Sequence, residues 1–316
     1  MEKQPLIIIA GPTATGKSAA AVALAQKLNG EVISADSMQV YRGMDIGSAK
    51  ITPEEMRGVP HHLIDVLEPE DAVNITIFQR MAKEAMRSIY ERGHIPILCG
   101  GTGFYIQSVL YDIVFTEEDT DYAYRQSLEK LVSEQGTGVL YDMLRRVDPA
   151  SCESIHENNV KRVIRALDFY HETGRPISEH NAAQRSRQAA YDFLYFVLTD
   201  EREKLYARID ARVEQMVADG LVAEVAALRD RGIPRSAVSM QGLGYKEIYD
   251  HLDGTCTLEE AIYTIKRDTR HFAKRQLTWF KREAGVIWLN RSEYADPAAE
   301  IPELMYRMVR ERLLQL

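Results

Sequence analysis

Residues 5–30 read PLIIIAGPTATGKSAAAVALAQKLNG, and the fold follows from the two changes of character inside this stretch. The run from Pro5 to Ala10 is short, apolar and stopped by Gly11-Pro12, which predicts a strand buried on both faces of a parallel sheet. Residues 16–28 are rich in alanine and predict a helix that Asn29-Gly30 ends. Between them Gly11, Pro12, Thr13, Ala14, Thr15, Gly16, Lys17 and Ser18 match the pattern G-x-x-x-x-G-K-[ST]. Such a loop aims consecutive backbone N–H groups and a helix N-terminus at anionic oxygens, while its lysine adds a point charge and its serine can ligate Mg²⁺. The eight residues are therefore assigned to a diphosphate, with Lys17 on the phosphates and Ser18 on the metal. The alternative is a tight strand-to-helix turn with surface polar residues; the strand before the motif and the helix after it favour the phosphate site. The loop by itself leaves open whether the diphosphate belongs to ATP or to another compound.

Working outward, further strands are predicted at 31–35, 63–67 and 94–99, with a helix at 76–92 between the last two. Alternating strands and helices imply a doubly wound α/β core. The pattern changes after Val114: residues 117–121 are an acidic connection, and 122–173 are helical with breaks at 135–138 and 148–149. Residues 191–198 are strand-like again and rejoin the sheet. Helices follow at 201–219, 221–231 and 258–282, then a short strand at 286–289 and a terminal helix. The expected organisation is a phosphate-loop α/β core domain from 1–115 and 191–316, interrupted by a mostly helical insertion at 116–190.

The 316 residues, 45% of them hydrophobic, suffice for a full core. No apolar run approaches the roughly 20 residues needed to cross a bilayer, so no membrane contact and a cytoplasmic address are expected. Cys99, Cys152 and Cys256 are few and far apart, and His61-His62 lacks a spaced partner, so neither a disulfide framework nor a zinc site is expected. A net charge of −8 argues mildly against a nucleic-acid partner, but a local stripe is what such a partner needs. Residues 265–282 carry basic side chains at 266, 267, 270, 274, 275, 281 and 282 against one Asp, and Lys161, Arg162 and Arg165 form a smaller group. A solvated helix face is the other reading of each run.

Two further positions fall at the carboxyl edge of the predicted sheet, where open α/β folds bind ligands. Asp36 ends the second strand; it can hold Mg²⁺ through water, take a proton from a nucleophile, or cap the segment after it. Gly100-Gly101-Thr102-Gly103 ends the strand at 94–99, and Thr102 is either a helix cap or a hydroxyl offered to a ligand.

The blocks "GPTATGKS", "ISADSMQVYRGMDIGSAK", "PHHLID", "GGTGFY", "RVIRALDFYHETGRPIS", "LYARIDARV", "QGLGYKE" and "KRQLTWFKR" occur in order between residues 11 and 282. Together they resemble the tRNA dimethylallyltransferase, or tRNA isopentenyltransferase, family in its bacterial form, without the C-terminal zinc finger of eukaryotic members. The resemblance implies transfer of a dimethylallyl group from dimethylallyl diphosphate to N6 of the adenine 3′-adjacent to the anticodon, in tRNAs reading codons that begin with U. It makes Asp36 the general base, places Thr102 near the flipped adenine, and puts Arg208, with Arg212 one turn on, at the diphosphate together with Mg²⁺. It implies contacts to the tRNA anticodon stem-loop from Asp36, Ser37, Met38, Gln39, Thr102 and Arg125; the basic groups Lys161, Arg162, Arg165, Lys274 and Arg275 are added from the stripes. A monomer is expected. Two rivals share the loop: a small-molecule kinase, expected to close an arginine-rich lid over ATP, and an adenylate isopentenyltransferase that accepts free AMP, ADP or ATP. A pure RNA-binding module leaves a complete phosphate loop beside an acid unexplained.

Overall fold

A computed structural model describes residues 3–115, 122–185 and 188–314, so the acidic connection at 117–121 lies outside the described residues. The chain begins with β1 (Pro5–Ala10), α1 (Lys17–Leu28), β2 (Gly30–Ser34), α2 (Pro53–Met56), β3 (His61–His62), α3 (Ile75–Glu91), β4 (Ile95–Gly100) and α4 (Gly103–Leu110). Then come α5 (Tyr122–Gln135), α6 (Thr137–Val147), α7 (Pro149–Cys152), α8 (Val160–Thr173) and α9 (Ile177–Arg185). The last part holds β5 (Asp192–Thr199), α10 (Arg202–Ala218), α11 (Leu221–Asp230), α12 (Tyr245–Leu252), α13 (Leu258–Phe280), β6 (Val286–Asn290) and α14 (Pro297–Arg312). Two compact units result: Met1–Asp112 with Ala189–Leu316, and Ile113–Gln188. Among the described residues no helix is long and apolar enough to cross a membrane.

The first unit is built on a parallel sheet of strand order β3-β2-β4-β1-β5-β6. Strand alternation splits β1 between two cores. Leu6, Ile8 and Ala10 face one apolar cluster, which includes Phe78 of α3, Val109 of α4 and Ile265 of α13. Ile7 and Ile9 face the other, with Ala21 and Ala25 of α1 and Met305 and Val309 of α14. Ile7, Ile8 and Ile9 are each 0% exposed, a burial worth roughly 1.5–3 kcal/mol per side chain. The small alanines of α1 let it lie close on the sheet, and α14 packs against it. From β1 the chain builds β2 and β4 on one side and β5 and β6 on the other, so the strand order reverses at the carboxyl end of β1, where the phosphate loop begins.

One strand differs from the sequence expectation. The third strand is only His61–His62, paired with Val32 and Ile33, and not 63–67. Leu63 (φ 62°) and Asp65 (φ 54°) adopt left-handed backbone, which a pleated strand cannot accommodate, and only Leu67 keeps a bridge, to Tyr41. Helix α12 has no counterpart among the predicted elements.

The second unit has its own core, in which Leu128 of α5 meets Leu140 and Leu144 of α6 and Val163, Ile164 and Leu167 of α8. Asp148, 1% exposed, caps α7 by accepting from Ser151 N, and it also accepts from Ser178 N at 2.9 Å and from the Ser151 and Ser178 hydroxyls at 2.6 Å each.

Candidate active site

Because the strands are parallel, the residues that follow them gather at one edge, and there the site is assembled. The phosphate loop leaves β1 and turns through left-handed Ala14 (φ 62°) and Gly16 (φ 82°), and Gly16 caps α1 without a side-chain bond. Left-handed backbone at a non-glycine residue is strained, and such strain collects where a loop must present its N–H groups to a ligand. Thr15 is buried and its hydroxyl donates to Pro12 O at 2.8 Å, closing the loop on itself. Lys17 Nζ donates to the same carbonyl at 2.8 Å. Burial pushes the Lys17 ammonium down to about 8; Arg212 adds to the depression and Asp36 opposes it.

Arginines surround the loop. Arg208 of α10 donates from Nε to Ala14 O at 2.9 Å, and Arg212, one turn on, donates to the Thr13 hydroxyl at 3.3 Å. Burial lowers the pKa of Arg212, against the attraction of Asp36 and Glu55. Arg291, just after β6, donates to Thr15 O at 3.2 Å. Asp200, just after β5, is bonded by Arg208 and by the Ser292 hydroxyl. Asp200 and Arg291 are absent from the sequence reading, yet a signal was present: each follows a predicted strand at the ligand-binding edge.

Asp36 follows β2 by two positions. It does not start an α-helix: Oδ1 accepts from Met38 N at 2.9 Å in a tight turn, and Oδ2 takes no bond among the described residues. Thr102 stands at the start of α4 but makes no side-chain cap bond, so its hydroxyl also stays available. The loop before it packs tightly against α13: Gln276, 7% exposed, donates to Gly101 O at 2.9 Å, and any Cβ on Gly101 would collide with the Gln276 amide. Ser18 is exposed on the first turn of α1. Cys99 lies beneath, buried, its thiol pushed up to about 11 by burial.

The segment after Asp36 is anchored from α11 and α12. Glu224 accepts from the backbone N–H groups of Asp45, Ile46 and Gly47 at 2.8–3.1 Å and from Tyr245 Oη at 2.7 Å. Gln39 is engaged internally, accepting from the Ser34 hydroxyl at 3.0 Å and donating to Ala49 O at 3.3 Å. Ser37 and Met38 are half-buried.

The stripe on α13 is less uniform than its sequence. Lys266 pairs with Glu214 at 2.6 Å and Arg270 with both oxygens of Asp210 at 2.6 and 2.7 Å, acids that α10 supplies, while Arg267 pairs with Asp268 at 2.8 Å. Lys274 and Arg275 are exposed with no acidic partner among the described residues, and Arg275 lies over the Phe272 ring at 5.7 Å. In the second unit Lys161, Arg162 and Arg165 are exposed on α8, and Arg125 is half-buried on α5. His62 serves Glu31 at 2.6 Å, and the described residues contain no cluster of three or more His, Cys, Asp or Glu fit for a metal ion.

The IPP transferase family model matches residues 39–283. The chain is 54% identical over 312 residues to a tRNA dimethylallyltransferase of Lachnoclostridium phytofermentans, covering 99% of this chain and all of that one. It is 48% identical to the tRNA dimethylallyltransferase of Geobacillus thermodenitrificans, covering 95% of each. Among solved structures it is similar to the tRNA isopentenylpyrophosphate transferase of Bacillus halodurans (TM-score 0.74, 46% identity, 99% of each chain covered). It is similar also to a eukaryotic dimethylallyltransferase captured acting on tRNA (TM-score 0.79, 29% identity, 99% of this chain and 77% of that one covered). With this architecture and these matches, the chain belongs to the tRNA dimethylallyltransferase family, in its bacterial form.

Proposed function

We propose that this chain moves a dimethylallyl group from dimethylallyl diphosphate to N6 of the adenine 3′-adjacent to the anticodon, in tRNAs reading codons that begin with U, in the cytoplasm. The observation that carries the reading is one sheet edge holding a phosphate loop ringed by Lys17, Arg208 and Arg212 beside an acid, Asp36, with an unbonded carboxylate oxygen. The loop N–H groups, Lys17 and the arginines take the diphosphate, whose charge must be neutralised as it leaves. The adenine is flipped from its stack to reach this edge, with the Thr102 hydroxyl beside it and Asp36 Oδ2 as acceptor for an N6 proton. The N6 lone pair forms the bond to the allylic carbon, the carbon–oxygen bond breaks with its electrons going to diphosphate, and the N6 proton passes to Asp36.

Mg²⁺ fits the donor set. An exposed serine hydroxyl and substrate oxygens suit a hard cation that keeps several waters. Ser18 would hold it, and when bound it supplies further charge neutralisation to the leaving group. For the tRNA backbone, Lys274 and Arg275 are the cations of α13 without an acidic partner among the described residues, with Lys161, Arg162, Arg165 and Arg125 offered by the helical unit; Asp36 to Gln39 form the segment nearest the base.

The arginines around the loop mean that an arginine-rich setting does not separate this reading from a kinase; family membership does. Direct separation comes from incubating tRNA and Mg²⁺ with dimethylallyl diphosphate or with ATP, and following labelled tRNA, pyrophosphate and inorganic phosphate. Prenyl label in tRNA with ATP left intact is expected. Transfer to free AMP in preference to tRNA, or tRNA-stimulated ADP formation without label, would replace the reading.

A further inference from the structure

Two of the arginines at the phosphate loop share one carboxylate. Asp200, whose side chain is 2% exposed, accepts from Arg208 Nη2 and from the Ser292 hydroxyl, and Arg291 Nε stands 4.0 Å from its Oδ2. From this anchor the two guanidiniums diverge onto neighbouring carbonyls: Arg208 Nε on Ala14 O at 2.9 Å and Arg291 Nη1 on Thr15 O at 3.2 Å. A Cβ at Gly16 would come within 2.8 Å of Arg291 Nη1, so the guanidinium lies directly against the backbone there. Arg291 is only 23% exposed at its side chain, and its Nε is buried without a hydrogen bond.

The consequence follows from peptide geometry. In a trans peptide the C=O and the next N–H point in opposite directions. A donor that fixes Ala14 O on one side therefore aims the N–H of Thr15 to the other, and a donor that fixes Thr15 O aims the N–H of Gly16. Left-handed Ala14 is the strained position of this loop, and its carbonyl is the one that Arg208 holds. Two like charges so close would repel, and the single carboxylate between them makes the arrangement tenable while leaving net positive charge at the loop.

We propose that Arg291 is a positioning residue of the diphosphate site: held against Asp200, it fixes the Thr15–Gly16 peptide with its N–H toward the anion, and acts jointly with Arg208 on the peptide before. The inference rests on the loop holding a diphosphate.

Its test is calorimetric binding of inorganic pyrophosphate in the presence of Mg²⁺ to the full chain and to Arg291→Gln, Arg291→Lys, Arg208→Gln and the double variant Arg208→Gln/Arg291→Gln. Arg291→Gln is expected to weaken binding about tenfold, the usual scale for a lost charged hydrogen bond. Arg291→Lys keeps a donor for Thr15 O and should recover most of that loss. The double variant should lose less than the product of the single losses, because both arginines act through Asp200. In turnover, KM for dimethylallyl diphosphate rises while KM for tRNA stays put, a split that a general loss of stability would not produce. Pyrophosphate binding by folded Arg291→Gln within twofold of the unsubstituted chain, or losses that multiply, would overturn the inference. Failure of the unsubstituted chain to bind pyrophosphate would overturn the diphosphate reading itself, and this inference with it.

Discussion

The two ends of the sheet carry ionic clusters of opposite design. Near the amino ends of β2 and β4, Glu31 is 3% exposed at its side chain and both of its oxygens are bonded: Arg92 donates at 2.7 and 2.9 Å, His62 at 2.6 Å and His94 at 2.6 Å. Burial alone would raise its pKa, but the bonds from Arg92, His62 and His94 outweigh it and hold the carboxyl at about 2. At the carboxyl end, Lys17 is penalised by burial, Asp36 keeps one oxygen unbonded and the Thr102 hydroxyl is uncommitted. The closed cluster has its carboxylate oxygens both engaged within the fold; the open one keeps groups free for a ligand. The comparison separates the two roles on the same pair of strands.

The sharpest break is Asp36→Asn, which keeps the shape and removes the proposed proton acceptor. Prenyl transfer should slow by about 10²–10⁴, with tRNA affinity within a few-fold of normal. A rate within threefold of the unsubstituted enzyme would mean that the open cluster lacks its base.

At the closed end, Glu31→Ala should lower unfolding stability by about 3 kcal/mol, at the lower end for a broken buried pair because Arg92 and both imidazoles retain access to water. Denaturant titration checks this, and kcat of the folded fraction should not move. The pH dependence carries the same signature. Glu31 has a folded pKa below its ordinary value of 4.5, so its contribution is complete above 4.5 and is lost as pH falls toward about 2. Glu31→Ala should therefore narrow its stability gap to the unsubstituted chain in acid.

Lys17 gives the open end a pH dependence of its own. The free site loses the Lys17 proton with a midpoint near 8, whereas the diphosphate favours the charged form. Affinity for dimethylallyl diphosphate should hold below pH 8 and fall above it, by up to about tenfold per pH unit. Equal affinity at pH 7 and at about pH 9.5 would show that Lys17 stays charged without ligand.

The smallest effect concerns α13. Replacing Lys274 and Arg275 by Ala should reduce the salt slope of tRNA binding by roughly 0.7–0.9 per lost phosphate contact. Lys266→Ala should change it less, since Glu214 already neutralises that charge. Equal changes would mean that the stripe acts through net charge alone.

The β1, phosphate loop and α1 sequence was legible because its signals are local: an apolar run, a breaker, a spaced motif and an alanine-rich helix. Residues 63–67 misled because the same apolar run is held irregular by distant partners. Lys50 bonds Asp65 at 2.6 Å, and Asp65 N and Val66 N reach Gln39 O and Val40 O. Helix α12 is only eight residues long, too short for its apolar spacing to stand out in the sequence, and Tyr245, buried and bonded to Glu224, fixes its place. Asp36 and Thr102 stood beside motifs at strand ends, so their place at this edge could be read. Asp200 and Arg291 stand in none; their strand-end positions were legible, but their contact with each other and with the loop appears only when strands far apart in sequence are set side by side. The pairing of Lys266 and Arg270 with α10 was equally invisible, since one helix shows no charge from its neighbour.

The packing of α14 on α1 sets an order for synthesis. Helix α1 leaves the ribosome long before Ile301, Met305 and Val309, which cover its apolar side. Its partner strand β1 is likewise left half-paired until β5 emerges, after the whole of the helical unit has been made. The helical unit, contiguous in sequence and with a core of its own, can fold as it appears; the parallel sheet must wait. During that interval β1 lacks its β5 partner, and Ile7 and Ile9 lack the cover that α14 later brings, so apolar surface stays open on this strand until the far end of the unit is made.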